Sequence, residues 1–193
     1  MWECRFSVVC RPSTRPALMA SLLALALLLL APALARADCA PQPLDRTFLP
    51  WLDVAWYEAA PDGAFEDGAA GWSLVGGAAV VDGNDPFQAG SRSLALPDGA
   101  SATTAPICVD LAHPTVRFFA SGGSGPLVVT ALFRDALGLA HELPVGMLLG
   151  GDWSPSPVLP VVGNLLSSQV SFRFASAGAW QIDDVFVDPY SKG

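Results

Sequence analysis

The run Trp180-Gln181-Ile182-Asp183-Asp184-Val185-Phe186-Val187 holds two carboxylates inside an otherwise apolar strand pattern. Strict alternation puts Asp183 on the face of Val185 and Val187, turned toward a core. A carboxylate there costs several kcal/mol unless it is paired or bound to a cation. No lysine lies nearby and arginines are few, so a bound cation would solve the problem. The alternative is a carboxylate at the strand mouth that accepts backbone N–H bonds. The other titratable groups offer little chemistry. His113 precedes Pro114 and His141 precedes Glu142. Neither has a Gly-x-Ser-x-Gly elbow or a second histidine at metal spacing to work with. Carboxylate pairs for glycoside hydrolysis can be picked from any acidic surface and carry no weight. Gly122-Gly123-Ser124-Gly125 is followed by no helix and no lysine, so it reads as a turn rather than a phosphate cradle. The expectation is a protein that is not an enzyme.

Aromatic side chains are the second set with chemical use. Trp153 falls in the Gly150–Pro160 segment, read as a loop; Trp51, Trp56 and Tyr57 fall in a proline-spaced lead-in. Exposed rings of this kind stack on sugar rings or anchor protein partners. Trp153, Trp56 and Tyr57 are the candidate ligand contacts. The competing reading has the lead-in rings packed as a lid on the domain. Arg117 and Arg173 project from strand faces, where solvation or pairing with surface acids is the ordinary outcome.

The elements that must position these groups follow from the chain's first 37 residues onward. A basic start (Arg5, Arg11, Arg15) leads into Ala17–Ala35, apolar throughout except for Ser21, and then Ala35-Arg36-Ala37. That is the pattern of a signal peptide cut before Asp38, which implies a secreted, extracellular chain with no membrane association after cleavage. The alternative is an uncleaved N-terminal anchor. Of 10 basic and 18 acidic residues, the segment removes four arginines and one glutamate, leaving 6 against 17 and a net charge of −11. Such a surface repels nucleic acid and anionic lipid. The mature chain keeps two cysteines, Cys39 and Cys108, which in an oxidising compartment read as a disulfide.

After the lead-in (38–63), where a short helix or turn at Trp51–Ala59 is an option, the pattern becomes short Val-, Phe-, Ile- and Thr-rich runs broken by Gly, Pro, Asn and Asp. This is the signature of a β-sandwich over 64–190. The expected strands are 71–75, 78–82, 92–96, 102–111, 115–120, 126–134, 142–149, 168–175 and 179–188. Val170, Phe172 and Phe174 on one face against Ser171 and Arg173 on the other show the clearest alternation.

Phe65-Glu66 with Gly71-Trp72, then Gly90-Ser91-Arg92-Ser93-Leu94, then Trp180-Gln181-Ile182-Asp183-Asp184-Val185 form an ordered set. It resembles the jelly-roll carbohydrate-binding modules of the galactose-binding-like superfold; the chain is also similar to secreted bacterial proteins of this build with no assigned activity. The resemblance implies an all-β jelly roll of eight or nine antiparallel strands, with Trp72 and Trp180 in the framework. It further implies a structural Ca2+ held by Glu66 and Asp183, with Asp184, Asp82 and Asn84 as further oxygens. Loop carbonyls and water would complete a shell of six to eight ligands. Two functions remain open at this point. One is a binding module for a neutral extracellular polysaccharide. The other is a structural jelly roll that meets a cell-surface protein and has no sugar site.

Overall fold

The computed structural model describes residues 43–108, 115–135, 137–161 and 169–188. The expected signal peptide, Cys39 and His113 lie outside these residues. Fourteen strands are present among them: β1 (Leu44–Asp45), β2 (Tyr57–Ala59), β3 (Ser73–Val75), β4 (Ala79–Asp82), β5 (Arg92–Leu96), β6 (Ser101–Thr103), β7 (Ile107–Cys108), β8 (Thr115–Gly122), β9 (Leu127–Arg134), β10 (Ala140–Leu148), β11 (Gly151–Pro155), β12 (Leu159–Pro160), β13 (Gln169–Ser176) and β14 (Trp180–Asp188). All pairings are antiparallel.

Two sheets result. In the eight-stranded sheet, β14 is the central strand. One of its edges pairs with β8, which in turn carries β11 and β12. Its other edge takes β5 and then β4 along one half, and β2 with β1 along the other. The six-stranded sheet runs β10-β9-β13-β6-β3, with β7 continuing along β13 beyond β6. The core lies between the sheets. Val170, Phe172 and Phe174 of β13 are buried there as their alternation requires, against Phe118, Val116, Leu94 and Ile182 of the facing sheet.

Eight of the nine expected strands form, the ninth (102–111) is broken in two over its described residues, and the architecture is the jelly-roll sandwich expected. The higher count has physical causes. Pro106 interrupts the expected 102–111 strand into β6 and β7, because proline cannot donate to the ladder. Pro155 and Pro157 bracket the break between β11 and β12 in the same way. The lead-in supplies the rest: a 3-10 turn at Leu49–Trp51, and β1 and β2, with Ala59 and Glu58 registered against Phe186 and Val187. The expected helix or turn of the lead-in is therefore that short 3-10 turn followed by an added strand. The glycine run at 122–125 is the β8–β9 turn. Gly123 lies against the Trp180 indole, where a Cβ would come within 2.5 Å of the ring, and the indole Nε1 donates to the Gly125 carbonyl at 3.0 Å.

The outer faces of the two sheets differ. That of the eight-stranded sheet is covered by the lead-in, which forms a second aromatic core of Phe48, Tyr57, Phe119 and Phe186, with Trp51 and Trp153 packed on it. That of the six-stranded sheet is covered by no element among the described residues and is ordered in rows. Pro144, Thr130, Arg173, Thr103 and Ser73 are successive cross-strand partners from β10 to β3. Met147, Val128, Ala175, Ser101 and Val75 form the parallel row two residues on. At the usual strand spacing each row is about 19 Å long.

Candidate functional site

Two regions carry functional groups: an acid cluster under the 84–88 turn and a cavity at one end of the six-stranded sheet. The acid cluster is made by a bulge. Asp183 pairs with Phe119 and Phe186 with Arg117, so β14 has one residue more than β8 between those points, and Asp184 takes a left-handed φ of 48°. The extra residue reverses the face parity. Ile182, Val185 and Val187 all point into the main core, while Asp183 shares the opposite face with Phe119. The expectation that Asp183 points inward beside Val185 and Val187 is therefore corrected. Its burial, at 1% exposure, comes from the 84–88 turn lying over it.

That turn brings in a residue that the sequence reading missed. Asp85 follows Asn84 and is itself 1% exposed. Its N–H donates to Asp183 Oδ2 at 3.1 Å, while its Oδ1 accepts from the N–H groups of Phe87 and Gln88 at 2.6 and 3.0 Å. Carboxylate oxygens of Asp85, Asp183 and Asp184 lie within 4.8 Å of one another. Asp85 Oδ2 is fully buried and, with the three carboxyls ionised, has no hydrogen-bond donor; the hydroxyl of Ser93, which by register continues the same face of β5, has no partner either. Burial pushes the Asp183 carboxyl up to about 7, despite N–H bonds from Asp85 and Asp184 that act the other way. Burial also raises the Asp184 carboxyl, and a side-chain hydrogen bond with Asp85 and the charges of Asp183 and Asp85 add to it.

The other expected cation ligands sit around this cluster rather than in it. Glu66 is exposed; its carboxylate accepts from Ser91 N and Ser91 Oγ at 2.6 and 2.7 Å and from Arg92 N at 3.0 Å. Those N–H bonds hold it below the usual carboxylate range, and its charge contributes to the rise at Asp183 and Asp184. Asp82 is exposed at the end of β4, opposite Arg92. The Asn84 amide donates to the Gln88 carbonyl at 2.9 Å and steadies the turn. The signal that could have found Asp85 is Asn84-Asp85-Pro86 itself, since an aspartate before proline in a turn is placed to accept N–H bonds from the residues after it.

The aromatic candidates also come to rest differently. Tyr57 is 1% exposed; its ring packs edge-on to Phe48 at 4.9 Å, and its hydroxyl donates to Asp53 Oδ2 at 2.7 Å. It belongs to the second core and is not a surface contact, because β2 turns it onto the sheet. Trp153 stands in β11, not in a loop, half-buried on that same core. Trp56 is half-buried beneath the Arg46 guanidinium, 4.6 Å from the ring centroid. Trp51 packs on Phe48, Phe87 and Phe119. Trp51 and Tyr57 thus pack on the sheet as the lid reading has it.

A cavity of about 580 Å³ lies at the end of the six-stranded sheet beside β7, lined by Leu132, Glu142 and Ser171 of the outer face and by Phe133, His141 and Val170 of the core-facing row, with Pro106 and Arg134 at its margin. Arg173, next to it in the central row, makes a bidentate pair with Glu142, Nη1 to Oε1 at 3.2 Å and Nη2 to Oε2 at 2.5 Å. The His141 imidazole stacks on Phe133 with centroids 5.3 Å apart and meets Asp135 Oδ2 at 2.8 Å. Cys108 lies in β7 opposite Gln169, beside the cavity.

No family model matches the sequence, and no curated protein matches it. Solved structures do match. The family 22 module, a xylan-binding domain, of Paenibacillus barcinonensis Xyn10C is similar over 77% of this chain and 97% of its own, at 16% identity and a TM-score of 0.50. The Clostridium thermocellum endo-1,4-β-D-xylanase 10B, with its CBM22-1 and GH10 modules in complex with xylohexaose, matches at 12% identity and a TM-score of 0.51 over 68% of this chain. The enzymatically active domain of tailspike protein 4 of bacteriophage CBA120 matches at 16% identity and a TM-score of 0.51 over 67%. This chain spans about a fifth of the tailspike domain and 28% of the xylanase structure. These likenesses extend to the fold: the chain is an all-β jelly-roll sandwich of two antiparallel sheets.

Proposed function

We propose that the mature chain is a secreted, non-catalytic binding module for a neutral glycan, which lies on the open face of the six-stranded sheet. The observation that carries this reading is the face itself: a cavity of about 580 Å³ beside the cross-strand row that holds Arg173, Thr103 and Ser73. Ser73 and Thr103 offer hydroxyls, and the Glu142–Arg173 pair offers matched acceptors and donors with no net charge. A sugar chain needs such paired donors and acceptors, together with the apolar surface that Leu132 and Pro106 supply. The charge of the mature chain argues against polyanionic ligands. In a glycan array of neutral polysaccharides, the secreted protein is expected to select a subset, and Arg173→Ala to weaken that binding at least tenfold with melting unchanged. An array with no selection, or one indifferent to Arg173→Ala, refutes the assignment. The burial of Trp153 favours the second reading, a jelly roll that meets a cell-surface protein through another surface.

The acid cluster completes the proposal as a Ca2+ site. Its donor set is three hard carboxylates, and Asp85 Oδ2 is buried with no partner, which suits a hard divalent cation. Asp85, Asp183 and Asp184 would hold the ion; the ion would neutralise charge there and tie the 84–88 turn to β14.

The chain's cysteines supply a further expectation. Secreted protein should carry no thiol that labels under denaturing, non-reducing conditions, and its mass should be two hydrogens below the reduced chain beginning at Asp38. Two reactive thiols would contradict a Cys39–Cys108 bridge, and an N-terminus at Met1 on membrane-bound material would contradict the signal peptide.

A further inference from the structure

The carboxylate of Asp85 faces two ways. Its unpartnered Oδ2 belongs to the acid cluster, and its Oδ1 holds the N–H of Phe87 at 2.6 Å. The Phe87 ring is in turn set edge-on against Trp51, with centroids 4.9 Å apart, and lies 5.4 Å from Phe119. Trp51 ends the 3-10 turn of the lead-in and touches Phe119 as well, at 5.4 Å. Phe119 is the cross-strand partner of Asp183. Cluster, turn and lead-in therefore form one continuous set of contacts on the outer face of the eight-stranded sheet.

We infer that a cation at the acid cluster latches the lead-in segment 49–53 onto the sheet, with Asp85 and Phe87 as the connecting residues. This rests on the Ca2+ reading of the cluster. Three carboxylates within 4.8 Å repel one another when ionised, and Asp85 is the member on a turn rather than a sheet strand, so it is the one free to withdraw. When it withdraws, it carries the Phe87 backbone with it, and Trp51 loses its edge-on partner. An ion that draws Asp85 into the cluster restores both contacts. The remaining anchors of the lead-in, Phe48 on Phe119 and Asp53 on Arg117, do not touch the cluster and act in both states.

The test pairs a calorimetric Ca2+ titration of the mature protein with hydrogen exchange at the Trp51, Leu52 and Asp53 amides, which bond to carbonyls within the lead-in. In the wild type, Ca2+ should bind and slow exchange at these amides roughly tenfold, the equivalent of about 1.4 kcal/mol. Phe87→Ala removes a half-exposed ring and should leave the protein folded and binding Ca2+, with the response of the lead-in cut below twofold. Phe87→Leu should recover part of the response, because it keeps apolar contact with Trp51. If Ca2+ fails to bind, the cation reading falls and the latch falls with it. If Ca2+ binds but the lead-in amides are unmoved, or move equally in Phe87→Ala, the latch is overturned while the cation site stands.

Discussion

Arg117→Met is expected to remove about 3–5 kcal/mol of folding stability, the range for breaking a buried ion pair by deleting one partner. Arg117 stands on the lid-covered face of β8. Its Nη1 donates to Asp53 Oδ2 at 2.6 Å, and its Nε and Nη2 donate to the Ser156 carbonyl at 3.1 and 2.8 Å. The guanidinium also lies over the Phe48 ring, 4.1 Å from its centroid. Asp53 returns the interaction. Burial acts to raise its carboxyl, but bonds from Tyr57, Ala55 and Arg117 outweigh that and hold it below the usual range. Methionine would fill the volume but strand both the Asp53 carboxylate and the Ser156 carbonyl. Denaturant midpoints measure the loss. Arg117→Lys should recover only part, since an ammonium cannot serve both partners with one rigid fork. The double variant Arg117→Met/Asp53→Leu should cost less than the sum of the singles, because no unpaired charge is left. A loss below about 1 kcal/mol in Arg117→Met would mean that the lead-in is not anchored by this pair.

The second large effect is the response of the acid cluster to pH and Ca2+. Stripped of metal, the protein should lose stability as pH rises from about 4 to 7. The sign follows from proton binding. Burial pushes the folded Asp183 carboxyl up to about 7, whereas an ordinary aspartate carboxyl sits at 3.8. Between those values the folded state holds a proton that the unfolded chain has released, so stability falls as pH rises and the loss is complete above the folded value. At about 1.4 kcal/mol per unit, the loss from Asp183 alone is on the order of 4 kcal/mol as an upper bound. Ca2+ at a hundredfold excess over its dissociation constant should return about 2.7 kcal/mol. The gain should be larger at pH 8 than at pH 5, because the ion competes with protons for the same oxygens. Mg2+ should substitute poorly, since it demands a tighter octahedral shell. Asp183→Asn should flatten the pH profile and abolish most of the Ca2+ response while leaving the domain folded. Asp98→Asn, remote from the cluster, should change neither. Melting temperatures that do not differ between chelator and millimolar Ca2+, in protein shown to be metal-free, would contradict the site.

The frame of this fold was legible because its long strands are half-buried and alternate. Val170, Phe172 and Phe174 announce a core face, and β9, β13 and β14 follow from such runs. The lead-in strands were not legible. Two- and three-residue segments such as Leu44–Asp45 and Tyr57–Ala59 show no period, so the side on which Tyr57 falls depends on its pairing with β14 through Ala59. Trp153 was misplaced because Gly150 and Gly151 read as loop, whereas Gly151 starts a strand beside β8. The acid cluster was half visible. The burden of a buried Asp183 could be read from its apolar neighbours, but its direction could not. The bulge at Asp184 inserts one residue, and strand arithmetic that assumes unbroken alternation then assigns the wrong face. Asp85, 98 residues earlier in the chain, meets Asp183 only through the tertiary fold.

The most direct test of the proposed function maps the glycan onto the molecule. The mature protein, labelled for amide resonances, is titrated with the neutral oligosaccharide that its array selects. The expected result is a contiguous set of shifts at Ser73, Thr103, Thr130, Glu142, Ser171 and Arg173, with Trp153 and the lead-in amides unmoved. Shifts centred on Trp153 or residues 49–57, or no saturable shift with any neutral glycan, would contradict the open face as the binding surface.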